Sequence, residues 1–272
     1  MTISNTVIIP DEINRKLKEY ARLIYEHNKT TNITGLKDTE SIYNELILGS
    51  ITPLKHVNVP RGTSFIDIGT GAGIPGIPLL LYFGGNIKGV LVDSNNKKIK
   101  FLLNAINTLG INDIVTVIQG RVEEIAKEKA YRDSFDFAVA RAFAHPLMAL
   151  EYGLPFVKPG GWLYIYYSFN LYEKGFENNK TVCSNDEVIA EYGCDKLHEE
   201  KNANKHDITV LTDYLTKHSL NLGGHRVTLE EAKKLKLYEG LIFLKDGYTP
   251  ANYPRKHAVV KREVESLRNI RS

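Results

Sequence analysis

The 272-residue chain is long enough for one full α/β domain with an accessory segment, and its 43% hydrophobic and 25% charged residues are ordinary for a soluble globular protein. No run approaches the ~18 apolar residues that a membrane span needs, which excludes an integral membrane protein of the helical kind. The N-terminus lacks the basic start and long apolar stretch of a secretory signal. The two cysteines, Cys183 and Cys194, form no disulfide framework. We therefore expect a cytoplasmic protein.

The net charge of +3 is concentrated at the C-terminal end. Residues 255–272 hold six Lys/Arg and two Glu, a net of +4, so the other residues together carry −1. A solvated helical tail would explain this charge, and so would an arm that contacts the phosphates of a nucleic acid.

The first 57 residues predict a helical extension. Within residues 11–28 the apolar side chains follow one helical face, at Leu17, Tyr20, Ile24 and His27. A second helix is predicted from near Asp38, a candidate N-cap, to about Leu54.

From residue 58 the predicted strands and helices alternate. The strands are "TSFIDI", "IKGVLVD", "DIVTVIQG", "SFDFAVARA" and "WLYIYYS", followed much later by "EGLIFLKDG". Helices are predicted after the first, second and fourth strands. This alternation indicates an α/β fold with a doubly wound, mostly parallel sheet. Residues 170–222 are polar and without clean periodicity, and we interpret them as a surface insertion.

A glycine-rich loop follows the first predicted strand in "DIGTGAGIPGIP", residues 67–78. Gly71, Gly73 and Gly76 satisfy the dinucleotide fingerprint G-x-G-x-x-G. Asp67, two residues before Gly69, would repel a pyrophosphate at this point. The loop is better suited to S-adenosylmethionine, because its ammonium and sulfonium favour a carboxylate while its own carboxylate can accept from loop N–H groups. A purely structural turn is the alternative.

Two further strand ends carry residues suited to a nucleoside. Asp93, followed by Ser94, ends the second strand, where its carboxylate can accept both ribose hydroxyls or, alternatively, cap the next helix. The third strand ends in "GRVEE", which would put Val122 and Glu123 beside the adenine. Together with the loop, these positions predict a nucleoside site at the switch point of the sheet.

S-adenosylmethionine donates a methyl group, and the sequence defines the site of the methyl acceptor less clearly than the cofactor site. Neither cysteine follows a proline, as a pyrimidine C5 nucleophile would, and the [DN]-P-P-[YF] turn of amine methylation is missing. N7 of guanine carries an in-plane lone pair and no proton, so positioning and desolvation suffice. Arg141, at the end of the fourth strand, can hold a phosphate or donate to guanine O6. The alternative for Arg141 is an ion pair with Glu123 or Asp136.

We weighed one candidate metal site and expect no metal. Its four residues fall within 24 positions but lack the close C-x₂₋₄-C pair of structural zinc sites: Cys183, Cys194, His198 and His206.

The sequence resembles the ribosomal RNA small-subunit methyltransferase G family, also called glucose-inhibited division protein B. The resemblance rests on "NKTTNIT", "DIGTGAGIPGIP", "LVDSNNKKIKFL", "GRVEE", "ARAFA", "LPFVKPGG" and "YPRK", in that order, over most of residues 15–168 and again at about 239–256. It implies a Rossmann-like class I methyltransferase with a seven-stranded sheet. It also implies methylation of N7 of a guanine in small-subunit ribosomal RNA, as free RNA or within the small ribosomal subunit.

The same resemblance implies roles for particular residues and regions. Gly69 and Ile74 would contact the cofactor, Val122-Glu123 would flank the adenine, and Arg141 would lie at the site of methyl transfer. Arg255-Lys256 would belong to an RNA-facing basic end. We expect a monomer in which residues 58–256 bind S-adenosylmethionine and residues 257–272 form a basic tail.

Three features depart from the family pattern. Leu46 and Gly49 stand where the family's second helix carries His-x-x-Asp-Ser, Tyr167 and Ser168 replace a Lys-Gly pair, and residues 170–222 form a longer segment. All three lie on the acceptor side or in its surroundings. Two alternatives therefore stay open: a methyltransferase that acts on another RNA, a protein or a small molecule, and a non-catalytic cofactor-binding protein that docks on RNA or ribosomes.

Overall fold

The computed structural model describes residues 9–167, 205–235 and 240–269. Several predictions from the sequence concern residues outside these ranges. They are Ser168, the first part of the predicted insertion, and three residues of the candidate zinc site, Cys183, Cys194 and His198.

Seven strands form one sheet in the order β3-β2-β1-β4-β5-β7-β6. The five strands β1 to β5 are parallel, and β7 is antiparallel to both β5 and β6. This arrangement confirms the predicted doubly wound fold. The strands are β1 (Thr63–Ile68), β2 (Ile87–Asp93), β3 (Val115–Gln119), β4 (Phe135–Arg141), β5 (Val157–Tyr166), β6 (Gly224–Arg226) and β7 (Leu241–Lys245).

Helices cover both faces of the sheet. The helices are α1 (Asp11–Asn28), α2 (Gly76–Phe83), α3 (Asn96–Leu109), α4 (Val122–Ile125), α5 (Pro146–Gly153), α6 (Lys205–Asn221), α7 (Leu229–Leu235) and α8 (His257–Asn269). One face is covered by α1, α2, α3 and the N-terminal helical turns, and the other by α4, α5, α6 and α8.

The N-terminal helices belong to the core of the sheet. Leu17, Tyr20 and Ile24 of α1 are fully buried and join the same apolar cluster as Phe65 of β1 and Leu80 of α2. The predicted helical face is therefore confirmed, and its burial against the sheet is what holds α1 beside the glycine loop.

The second predicted helix is a composite segment, residues 39–54. Its predicted cap is confirmed, since the Ser41 amide donates to Asp38 Oδ1 at 2.7 Å. The predicted helical segment is confirmed from Thr39 to Leu54, and within it a π-helix over Ile42–Leu48 separates two short α-helical turns before a final 3₁₀ turn. The widened turns matter for the acceptor side, as described below.

Two boundaries predicted from the sequence are corrected. β5 begins at Val157 and includes the 158–161 turn as a bulge, since Phe135 pairs with Val157 but Phe137 pairs with Trp162. The end of the predicted surface insertion is also not a surface loop. Residues 205–221 form α6, which buries Leu211 and Leu215 on the face of the sheet that α4, α5 and α8 also cover. Polar residues between the buried ones make this apolar stripe hard to recognise in the sequence.

Among the described helices none combines the length and apolar character that crossing a membrane requires.

Candidate active site

The glycine loop between β1 and α2 is organised from beneath by Asp67. This carboxylate is fully buried, and its Oδ2 accepts from the Thr70 hydroxyl at 2.6 Å and from the Gly76 amide at 2.8 Å. Oδ1 has no hydrogen-bond partner among the described residues. Burial raises the pKa of Asp67 to about 7, against the lowering effect of these two hydrogen bonds. Asp67 therefore shapes the loop and keeps one buried oxygen without a partner.

The loop glycines face different surroundings. Gly69, Gly71 and Gly73 all have positive φ, which favours glycine. A Cβ on Gly73 would lie 2.6 Å from the Tyr20 hydroxyl, which donates to the carbonyl of Ala72, so this side of the loop is packed on α1. A Cβ on Gly71 would meet nothing closer than 3.8 Å. The Gly71 side of the loop is thus the open one, where a ligand can approach the backbone.

An aromatic ring lies against the start of the loop. A Cβ on Gly69 would be 2.1 Å from the Phe143 ring, which itself meets Tyr152 edge-on with centroids 6.3 Å apart. Phe143 follows β4, and Ile74 is buried below the loop. Glycine at position 69 is required by both its backbone angle and this close contact.

Asp93 joins the loop to the end of β2. Its Oδ2 accepts from the Gly71 amide at 2.9 Å, and its Oδ1 accepts from the Asn95 amide at 2.8 Å. Lys98 Nζ lies 3.7 Å from Oδ2. Because a carboxylate has about four lone-pair positions, Asp93 can still accept hydroxyl groups of a ligand. The adjacent Ser94 is exposed at the same edge.

A third buried acid follows the end of β3. Val122 and Glu123 begin α4 and are 4% and 8% exposed. The Nε of Arg121 donates to Glu123 Oε1 at 2.7 Å. His257 Nδ1, from α8, lies 3.7 Å from the same oxygen. The structure therefore brings Glu123 to the same edge as Asp93, as predicted, and adds a histidine from the far end of the chain.

Arg141 connects β4 to the 39–54 segment. Its guanidinium donates to the carbonyls of Glu45 at 2.8 Å and Leu46 at 3.0 Å, and to the Ser50 hydroxyl at 3.2 Å. It also lies over the ring of Tyr166, 5.7 Å from the centroid. The widened π-helical turns thus present their carbonyls to Arg141. Leu46 and Gly49, where the sequence is expected to depart from the family pattern, lie in this same 39–54 segment.

The two acids considered as alternative partners of Arg141 have other cations. Glu123 is bound by Arg121, and Asp136 lies 2.6 Å from Lys158. Asp136 is also five residues upstream of Arg141 on the same strand, which is roughly 17 Å along the sheet at about 3.3 Å per residue.

The predicted RNA-contacting pair, Arg255 and Lys256, divides into a half-buried and an exposed residue. Arg255 Nε and Nη2 donate to the fully buried carboxylate of Glu151 at 2.9 and 2.5 Å. Burial opposes ionisation of Glu151, but hydrogen bonds from Arg255 and His218 outweigh it and lower its pKa to about 2. Lys256 is exposed. Arg255 therefore anchors the C-terminal segment, whatever else it contacts.

In the part of the chain that the structure describes, no three His, Cys, Asp or Glu side chains are grouped as a metal site would require.

Three of the side chains at this edge are carboxylic acids. Asp67, Asp93 and Glu123 place three carboxylates around an open glycine loop. Such a set repels a pyrophosphate and can accept hydroxyl, amino and cationic groups, so it fits a phosphate-free nucleoside with a cationic amino-acid end.

A model of the family described as rRNA small subunit methyltransferase G matches residues 13–204. The chain belongs to this family.

Two named relatives agree with the family assignment. Ribosomal RNA small subunit methyltransferase G of Moorella thermoacetica is 39% identical over 157 residues, 58% of this chain and 64% of that protein. The chain therefore aligns with less than two thirds of the Moorella relative. The protein of that name from Alkaliphilus metalliredigens is 32% identical over 248 residues, 91% of this chain and 89% of the relative.

The solved structure is a protein of Methanococcus maripaludis that is provisionally described as an S-adenosyl-L-methionine-dependent methyltransferase. It superposes with a TM-score of 0.51 and 15% identity over 86% of this chain and 94% of that one. At this identity the likeness concerns the fold alone.

Three residues at the site were not anticipated from the sequence: Phe143, Tyr152 and His257. Phe143 directly follows the strand end that carries Arg141, so its position offered a local signal. Tyr152 lies inside α5, and His257 comes more than 130 residues after Glu123, so no local pattern could have joined them.

Proposed function

We propose that this chain transfers a methyl group from S-adenosylmethionine to RNA, at N7 of a guanine in small-subunit ribosomal RNA. The observation that carries the proposal is the three-carboxylate edge beside an open glycine loop, in a chain of the methyltransferase G family. The relatives' names give the substrate class, and the carboxylates supply the chemical reason for the cofactor.

The cofactor would be held by the residues of three strand ends. Asp93 would accept the ribose hydroxyls, Val122 and Glu123 would flank the adenine, and the loop from Gly69 to Gly73 would offer backbone N–H groups to the amino-acid carboxylate. Asp67, with one buried oxygen lacking a partner among the described residues, would stabilise the cationic end.

The acceptor would be positioned by the β4 edge. When bound, S-adenosylmethionine supplies a methyl carbon to the N7 lone pair while the C–S electron pair stays on sulfur, so no proton is lost. No general base is then needed, and the role left to the protein is orientation and exclusion of water. Arg141, held by carbonyls of the 39–54 segment, would orient the guanine through O6.

The RNA would approach along the basic C-terminal end. Lys256 is exposed beside the site, and the surrounding segment carries the chain's excess positive charge. We propose that the partner is small-subunit ribosomal RNA, alone or in the subunit, and that the protein acts in the cytoplasm as a monomer. We propose the division into residues 1–57, 58–256 and 257–272 on functional grounds. Packing does not separate the first two regions, because α1 shares its core with the sheet.

Methyl transfer can be tested with radiolabelled cofactor and small ribosomal subunits from a strain that lacks the gene. Label should enter RNA and, after digestion, be recovered as N7-methylguanosine. Label in protein or in another nucleoside would favour a different acceptor. Cofactor binding without label in any acceptor would favour a non-catalytic docking protein.

A further inference from the structure

The start of α8 lies against the proposed adenine side of the cofactor site. His257, the first residue of α8, has its Nδ1 3.7 Å from Glu123 Oε1 and 3.2 Å from the Tyr152 hydroxyl. Tyr152 is buried, and its ring meets the edge of Phe143 beside the glycine loop. A continuous set of contacts therefore runs from the C-terminal helix to the loop.

The position of His257 is fixed by the segment that precedes it. Arg132 donates to the carbonyls of Thr249, Pro250 and Tyr253 at 2.7–2.8 Å. Two residues before His257, Arg255 is bound to the buried Glu151. The anchored segment thus places the imidazole beside Glu123, although the His257 side chain is 42% exposed.

Glu123 is approached by two cation-forming side chains on one oxygen. Arg121 and His257 both face Oε1, and neither of these contacts uses Oε2. Arg121 is the more exposed of the two, at 52%, and its long side chain has many rotamers. His257 is shorter and is located by Tyr152. Arg121 makes the hydrogen bond to Oε1 at 2.7 Å, and His257, 3.7 Å from the same oxygen and held by Tyr152, limits how the carboxylate can turn.

We propose that His257 is a positioning residue that holds Glu123 so that Oε2 accepts from the adenine amino group. The inference rests on the proposed function, because it assumes that the nucleoside of the cofactor lies along Glu123. It makes the C-terminal helix part of the cofactor site and assigns His257 to the selection of adenine over a purine without the amino group.

The test uses equilibrium binding of two ligands by calorimetry. One is S-adenosylhomocysteine, and the other is its analogue in which hydrogen replaces the adenine amino group. The wild-type protein should prefer S-adenosylhomocysteine by about tenfold or more, as expected for a hydrogen bond to a charged acceptor. His257→Ala should reduce this preference to less than about threefold, mainly by weakening S-adenosylhomocysteine.

Two further variants separate positioning from general disruption. His257→Asn can place an amide nitrogen near the position of Nδ1 and should restore most of the preference. Glu123→Ala should abolish the preference, and adding His257→Ala to it should change nothing further. His225→Ala is the matched control, because His225 likewise lies beside carboxylates, those of Asp246 and Glu231, but on β6.

The outcomes are distinguishable. Equal weakening of both ligands by His257→Ala, or an unchanged preference, would overturn the role of His257 while leaving the proposed function in place. Failure of the wild-type protein to bind S-adenosylhomocysteine would overturn the proposed function and this inference with it. Thermal unfolding of each variant shows that the binding data come from folded protein.

Discussion

Replacing Arg255 with alanine should destabilise the fold, whereas replacing its neighbour Lys256 should not. Arg255 donates three side-chain hydrogen bonds from Nε and Nη2 to Glu151, whose carboxylate is fully buried, and its Nη2 also lies 2.7 Å from Glu263. The substitution leaves Glu151 with His218 and the backbone amide of residue 255. A buried charge then loses its main compensation.

The size of the effect follows from burial. Removing one partner of a buried ion pair costs about 3–5 kcal/mol. The Arg255 side chain is 25% exposed, so water can partly replace it, and we expect a loss of about 2–3 kcal/mol. For a chain of this size that corresponds to a fall in Tm of roughly 4–12 °C.

The dependence on pH provides a second check. Because the pKa of Glu151 is lowered to about 2 in the folded protein, its stabilisation is complete above its unfolded value and is lost as the pH falls through the folded value. The difference between wild type and Arg255→Ala should therefore stay constant down to about pH 5 and shrink as the pH falls further.

Urea unfolding and salt-dependent RNA binding should be measured on Arg255→Ala and Lys256→Ala. Lys256→Ala should keep the wild-type stability and lower the slope of log affinity against log salt by about 1. If Arg255→Ala unfolds like wild type and changes RNA binding as Lys256→Ala does, Arg255 is an RNA contact and not an anchor of the C-terminal segment. Deleting residues 255–272 would mix the two effects, since it removes the anchor together with the charge.

Three further predictions concern the cofactor and acceptor sides. Asp93→Ala should weaken S-adenosylmethionine binding by about tenfold or more in calorimetry, because hydrogen bonds to the ribose and to the Gly71 amide are lost together; unchanged affinity would contradict the assignment. Arg141→Ala should largely abolish turnover while largely keeping cofactor affinity, and a parallel loss of both would mean that its contacts with the 39–54 segment are purely structural. The raised pKa of Asp67 means that its contribution to unfolding free energy is fully present below about pH 4 and is lost as the pH rises through about 7. Asp67→Asn should therefore reduce the fall in the free energy of unfolding of the apoprotein over this pH range. The same pH profile in the variant and the wild type would refute a raised pKa of the buried Asp67 carboxyl.

Much of the fold was accessible from local patterns. The parallel strands were predicted because each is a short apolar run bounded by turns, and the cap at Asp38 because its side chain acts within three residues. The errors arose where distant packing decides the structure. Residues 205–221 look polar in sequence, yet Leu215 is fully buried against the far face of the sheet. The bulge at the start of β5 exists because it pairs with β4, and a turn-like "KPGG" does not reveal that pairing.

At the proposed cofactor site, too, some features are local in the sequence and others are not. Asp67, Asp93 and Glu123 are recognisable in the sequence because parallel strands end at one edge, so a residue that closes a strand is already located. The partners of these residues are not encoded locally. Arg141 meets carbonyls some 95 residues earlier, Arg255 is bound by Glu151, and His257 reaches Glu123 across the sequence. Strand periodicity and loop chemistry act over a few residues and can be read directly, whereas the contacts that orient a charged side chain depend on which distant segments the folded core brings together.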